Sequence, residues 1–200
     1  MAKISTMQVQ QQFEQSAALK YEMAKTLPQS VLQATEAILS CLKGGGKVLV
    51  CGNGGSAADA QHFAAEFINR FNIDRKPLPA IALTTDSSAL TSIGNDSGFE
   101  EIFKKQVQAL GKEEDILIVM TTSDVSFQKH GHSANIGQAI LAAKTAGMRI
   151  IGLASLNGKE ILKHLDIPIV IPHTDTPRIQ EGHITVLHVI CDLVEQGLFT

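Results

Sequence analysis

His62 and Glu66 stand four residues apart in an Ala-rich stretch, Ala57-Ala58-Asp59-Ala60-Gln61-His62-Phe63-Ala64-Ala65-Glu66. That composition favours helix, and on a helix residues i and i+4 share a face. An imidazole beside a carboxylate can hold a metal ion or act as an acid–base pair. Immediately upstream runs Cys51-Gly52-Asn53-Gly54-Gly55-Ser56, preceded by the apolar, β-branched Lys47-Val48-Leu49-Val50. The order is therefore buried strand, glycine turn, helix N-terminus, with Ser56 expected to cap the helix. Free backbone N–H groups and the positive end of the helix dipole make such a turn an anion site. It is neither G-x-G-x-x-G nor a Walker loop, because the lysine and the glycine spacing are missing. Phosphate binding and chemistry would thus share one element.

The same logic recurs downstream. Asp115 to Met120 is a buried strand that runs into the hydroxyl triplet Thr121-Thr122-Ser123. Next come Asp124 to His130, then Gly131-His132-Ser133-Ala134-Asn135 and a helix to about Ala146. Two polar strand ends aimed at one place suit a phosphate. Ala80 to Leu83, Arg149 to Ala154 and Ile167 to Ile171 supply three more strands, and Pro168 argues that the last is an edge. Two helices, over about 4–26 and 28–43, precede the first strand; they read as a packing layer that could also build a subunit interface. Gly94-Asn95-Asp96-Ser97-Gly98 reads as a turn cluster. Thr176-Pro177 opens a last helix over Arg178 to about Gln196, with Gly197 ending it. Strands alternating with helices give an α/β class with one parallel five-stranded sheet, covered on both faces. Residues 1–45 are a helical segment of the same domain as 46–200.

The chain has 200 residues, 44% of them apolar, and a formal charge of −3 with no dense basic run, which argues against direct nucleic-acid binding. Its three cysteines are scattered and form neither a disulfide framework nor a metal pair. No apolar run approaches the ~20 residues a membrane span needs. A polar, Gln-rich start with no signal-peptide core points to the cytoplasm.

Gly52 to Ser56 with His62 and Glu66, Gly94-Asn95-Asp96, the hydroxyl triplet with Gly131 to Asn135, and Arg178-Ile179-Gln180-Glu181 with His188 form one ordered set. Together they resemble the sugar isomerase (SIS) domain superfamily, and within it the phosphoheptose isomerases, over nearly the whole chain. The resemblance implies conversion of sedoheptulose 7-phosphate to D-glycero-D-manno-heptose 7-phosphate through an enediol, feeding surface polysaccharide. It also implies a homotetramer with sites between subunits. Asn53, Gly54, Gly55, Glu66, Asn95, Asp96, Thr121, Thr122, Ser123, Ser133 and Gln180 would then hold substrate. His62, Glu66, Gln180 and His188 would bind one zinc ion, and Glu66 and His188 would be base and acid.

Three points qualify that pattern. Gln180 and His188 are eight residues apart on one helix, about 12 Å along its axis, so both reach one metal only from different subunits or through inclined side chains. His188 lies in the apolar Val186-Leu187-His188-Val189-Ile190, where an isolated histidine would read as core, and His183 competes for any ligand role. The family's loop passes directly from the hydroxyl triplet to Gly-x-Ser-Ala-Asn, so Asp124 to His130 is a seven-residue insertion, readable as a lid, an interaction loop or a neutral bulge. The rival reading is a non-catalytic SIS protein that binds the replication initiator. That relative lacks the carboxylate found here at Glu66.

Overall fold

The computed structural model describes residues 4–200. The apolar runs become β1 (Val48–Gly52), β2 (Ala80–Ala82), β3 (Ile116–Met120), β4 (Arg149–Ser155) and β5 (Ile167–Ile171). They form one parallel sheet in the order β2-β1-β3-β4-β5. Every residue of β1 and β3 is buried, as central parallel strands covered on both faces must be. Pro168 sits on the edge strand β5, opposite Gly152, where its missing donor costs little.

Among the described residues seven α-helices cover the sheet: α1 (Thr6–Thr26), α2 (Pro28–Lys43), α3 (Gly55–Ile68), α4 (Ser87–Ser97), α5 (Ile102–Leu110), α6 (Ala134–Thr145) and α7 (Thr176–Phe199). Period-2 alternation divides the strand side chains between two cores. Val48, Val50, Ile116, Ile118 and Met120 face Ile38, Phe63, Phe67, Leu187 and Ile190 from α2, α3 and α7. Leu49, Cys51, Leu117 and Val119 face Phe103, Val107, Ile136 and Ile140 from α5 and α6. Among the described residues no helix is long and apolar enough to cross a membrane.

The strand reading holds throughout, whereas several local expectations change. Gly94, Asn95 and Asp96 lie in the last turn of α4 rather than in a turn cluster; Asp86 caps that helix by accepting from the Ala89 N–H at 2.9 Å, and Gly98 at φ 104 ends it. Ser56 does not cap α3. The cap is Gly54, and Ser56 is buried one position inside the helix. Gly197 does not end α7, which continues to Phe199; it lies against Leu39 of α2, whose Cδ1 a Cβ would approach to 2.7 Å. In α1 only Leu19 and Met23 are buried, while Met7 and Phe13 are 65% and 73% exposed.

Candidate active site

The order β2-β1-β3 makes the β1/β3 junction the point where the chain winds in opposite directions, and ligands bind beyond strand C-termini there. β1 ends at Gly52 beside Met120 of β3, so the two polar loops leave the sheet side by side. Between them lies a cavity of about 230 Å³. Asn53, Gly54 and Gly55 line it from the β1 side; Thr121, Thr122 and Ser123 line it from the β3 side; Ser133 opens α6 at its rim. Gly54 takes φ 55, which glycine adopts without strain, and turns the chain into α3. Two helix N-termini, α3 and α6, therefore face one small polar cavity. Among the described residues no lysine or arginine lines it, so backbone N–H groups, hydroxyls, helix dipoles and the imidazole of His132 are what could hold an anion.

A reciprocal amide pair locks the two loops together. Asn53 Nδ2 donates to Asn135 Oδ1 at 2.9 Å, and Asn135 Nδ2 donates back to Asn53 Oδ1 at 2.7 Å. Asn135 is buried, and its Oδ1 also accepts from the Ile136 N–H at 3.0 Å. On the β3 side, Thr121 Oγ1 donates to the Ser123 carbonyl at 2.9 Å and accepts from the Ser123 N–H at 3.2 Å. The side chains of Asn53 and Thr121 are thus committed to shaping the cavity, which leaves Thr122, Ser123, Ser133 and the glycine N–H groups to face a ligand.

The second cluster stands further along α3. His62 Nε2 lies 2.8 Å from His188 Nε2 and 3.2 Å from Glu66 Oε1, and donor atoms of all three residues fall within 4.8 Å of one another. The rings of His62 and His188 meet edge to face at 5.1 Å, and Phe71 packs beside His188 at 5.6 Å. Two neutral imidazoles this close need one nitrogen to donate while the other accepts, with the carboxylate competing for the same proton. A cation at the centre would satisfy all three acceptors at once. Two histidines and a glutamate are a donor set found in catalytic zinc centres, so the residues present fit the metal that the sequence implies.

α3 and α7 pack against each other, and two contacts fix their register. Gln180 lies against Gly55, where a Cβ would come within 2.5 Å of Gln180 Nε2, and His188 lies against His62. The offsets, 125 and 126 residues, show that the helices run in the same direction, each level with the other. Gln180 therefore belongs to the cavity end of α3, whereas His188 belongs to the His62–Glu66 end about 12 Å away along the axis.

The SIS domain family model matches residues 11–155. A phosphoheptose isomerase of Trichlorobacter lovleyi is 48% identical over 191 residues, spanning 96% of this chain and 94% of its own length. The structure of a phosphoheptose isomerase from Francisella tularensis matches with a TM-score of 0.89 at 42% identity, over 97% of this chain and 100% of that one. One from Neisseria gonorrhoeae matches at 0.86 and 44% identity, over 96% and 98%. The chain belongs to the phosphoheptose isomerase family. That family is one of aldose–ketose isomerases built on the SIS domain.

Within this phosphoheptose isomerase fold, the residues singled out from the sequence fall into three groups. The cavity set and Gln180 meet at the β1/β3 junction. His62, Glu66 and His188 meet beside it on the α3/α7 seam. Asn95 and Asp96 join neither: both are exposed at the end of α4, where Asn95 Nδ2 donates to Asp96 Oδ1 at 2.8 Å. His183, the competitor on α7, is fully buried; its Nε2 faces the Ala154 carbonyl at 3.5 Å and its Nδ1 has no partner. Burial pulls its pKa down to about 4, outweighing the opposing carbonyl contact.

Sequence reasoning passes over several residues that position the site. Asp59, one turn before His62, has a buried Oδ2 with no hydrogen-bond partner; burial pushes its carboxyl up, and nearby His62 pulls the other way. The i, i+3 spacing is the available signal. Arg75 donates from Nη2 to the Glu66 carbonyl and from Nη1 to the Phe67 carbonyl, each at 2.8 Å, while its Nε pairs with Glu195 Oε1 at 2.8 Å. Glu195 also accepts from the N–H groups of Phe71, Asn72 and Ile73. Burial alone would raise its carboxyl, but those N–H groups and Arg75 outweigh it and hold it below the usual carboxylate range. No short-range pattern announces a clamp whose halves are 120 residues apart.

Proposed function

We propose that this protein isomerises sedoheptulose 7-phosphate and D-glycero-D-manno-heptose 7-phosphate through an enediol, supplying heptose for surface polysaccharide. The observation that carries the proposal is the His62–Glu66–His188 cluster one helix face away from a polar, helix-capped cavity. The cavity takes the phosphate, and the cluster acts at the carbonyl end of the sugar. Glu66 removes the proton from the hydroxyl-bearing C1 and returns it to C2 on the same face. His188 gives a proton to the C2 oxygen as the enediol forms and takes the C1 hydroxyl proton as the aldehyde appears, so that it ends in its starting state. Zinc, held by His62, Glu66 and His188 with Gln180 from a second copy, would polarise the carbonyl as a Lewis acid.

The register of α3 and α7 supports an inter-subunit source for Gln180, because within one chain it stands at the other end of the seam. Exposed Asn95 and Asp96 fit the same arrangement, offered to a neighbour's cavity. We therefore infer a cytoplasmic homotetramer with composite sites. Of the expected segment 1–45, residues 1–3 lie outside the described residues; the rest belongs with 46–200 in one domain, a reading supported by Ile38 of α2 in the main core. No observation favours binding of the replication initiator. The decisive experiment is isomerisation of sedoheptulose 7-phosphate by the wild type and by Glu66→Gln, each with and without zinc. Turnover confined to the wild type is expected; an inactive wild type would remove the reading.

A further inference from the structure

The insertion Asp124–His130 is docked, not loose. The Asp124 carboxylate accepts from the N–H groups of Glu160 and Ile161 at 3.0 and 3.1 Å, capping the short 3-10 turn Ile161–His164. Burial would raise that carboxyl, but these N–H groups hold it below its ordinary range. Val125 is buried, and Phe127 stacks on His164 with ring centroids 3.8 Å apart. The Phe127 carbonyl accepts from Gln138 of α6 at 3.1 Å. At the far end, His130 Nδ1 meets Glu100 at 3.2 Å. A segment held at so many points is neither a free lid nor a neutral bulge.

The insertion also fixes the residues that lead into α6. The Ser126 N–H donates to the His132 carbonyl at 2.9 Å, tying the inserted loop to the returning chain. Ser133 then takes the left-handed conformation, φ 49, that starts α6. Together these set the exposed His132 ring at the cavity mouth, where it joins the lining with Nε2 2.9 Å from Ser123 Oγ. His132 is thus a cationisable donor at the rim of a cavity otherwise lined by neutral groups. Its partner Ser123 presents a hydroxyl at the same cavity wall, bonded to that ring.

We propose that His132 is a further phosphate-binding residue of this enzyme, placed there by the Asp124–His130 insertion. The inference rests on the cavity being the phosphate site. With phosphate bound, the ring donates Nε2–H to a phosphate oxygen, while Ser123 donates to the phosphate beside it. A hydrogen bond to a charged group contributes about 1.5–3 kcal/mol, which is roughly tenfold or more in affinity.

The test measures competitive inhibition by inorganic phosphate alongside the Michaelis constant for the sugar phosphate, in wild type, His132→Ala and His132→Gln. The expected result is a rise of roughly tenfold or more in both constants for H132A, partial retention in H132Q, whose amide can still donate, and an unchanged kcat. A distorted loop would instead lower kcat and leave H132Q no better than H132A. The proposal is overturned if phosphate inhibits H132A as strongly as wild type, or if kcat alone falls. Failure of inorganic phosphate to inhibit the wild type would overturn the cavity's assignment itself, and the His132 proposal with it.

Discussion

Glu66 separates turnover from mere binding, because the glycine loop and hydroxyls can hold a phosphate without it. Glu66→Gln keeps shape and hydrogen-bonding size but loses the base. A drop in kcat of about 10²–10⁴ is expected, with little change in thermal midpoint, since the side chain is partly exposed and its loss opens no cavity. A steady-state assay with a thermal melt checks both halves. The His62–Glu66 pair is legible in the sequence because helical spacing is local. His132 is not: its ring reaches the cavity only through a bond from Ser126 and an unusual backbone at Ser133, neither of which leaves a pattern in the sequence. His183 makes a pH prediction. Its pKa falls from 6.5 to about 4 on folding, so between those values the unfolded chain binds the extra proton. Stability therefore declines as pH drops through that window, by about 3 kcal/mol in all at ~1.4 kcal/mol per unit. Equilibrium unfolding at pH 7, 5.5 and 4.5 should show the decline, and His183→Gln should flatten it.

Among the elements, the strands are readable because short, mostly apolar runs, from three residues in β2 to seven in β4, have few alternatives in an α/β chain. α4 is harder to read because glycine, asparagine and aspartate are turn formers by composition, yet the Asp86 cap and the preceding residues propagate the helix through them. The seam between α3 and α7 depends on a contact that no local rule predicts. Arg75 and Glu195, both almost wholly buried, join the end of α3, the loop after it and α7. Replacing Glu195 with Gln leaves the guanidinium buried without its counter-charge, and breaking a buried pair costs about 3–5 kcal/mol. A fall of that size in unfolding free energy is expected. The zinc content of folded E195Q, measured after dialysis against limiting metal, should fall as well, because the clamp holds Phe71 and the Glu66 carbonyl beside the cluster. Wild-type metal content in folded E195Q would confine the clamp to stability.

At the scale of the molecule, a single chain leaves too much unfinished. The first half of α1 buries nothing yet carries Met7, Val9 and Phe13, 65%, 51% and 73% exposed, and it is tied down by Arg178 of α7, whose Nη1 donates to the Gln12 carbonyl at 3.2 Å. Met23, Leu27, Val31 and Val186 line an apolar groove of about 350 Å³ between α1, α2 and α7. Exposed apolar surface on a monomer marks an association face, and Asn95 and Asp96 at the exposed end of α4 are, among the described residues, engaged only with each other. In the composite site proposed above, association through α1 would bring each copy Gln180, Asn95 and Asp96 from its neighbours and make assembly a condition for catalysis. The double substitution Met7→Asp with Phe13→Asp places charges on the exposed half of α1, where no core contact is lost. Sedimentation should then show a folded monomer in place of the proposed wild-type tetramer. Activity per chain should fall about a hundredfold, the cost of withdrawing a positioned donor, and zinc affinity should fall with it. A monomer that keeps full zinc affinity would place the whole ligand set within one chain, with Gln180 leaning along α7 to reach it. A monomer that keeps full activity would mean that Asn95 and Asp96 never touch the substrate.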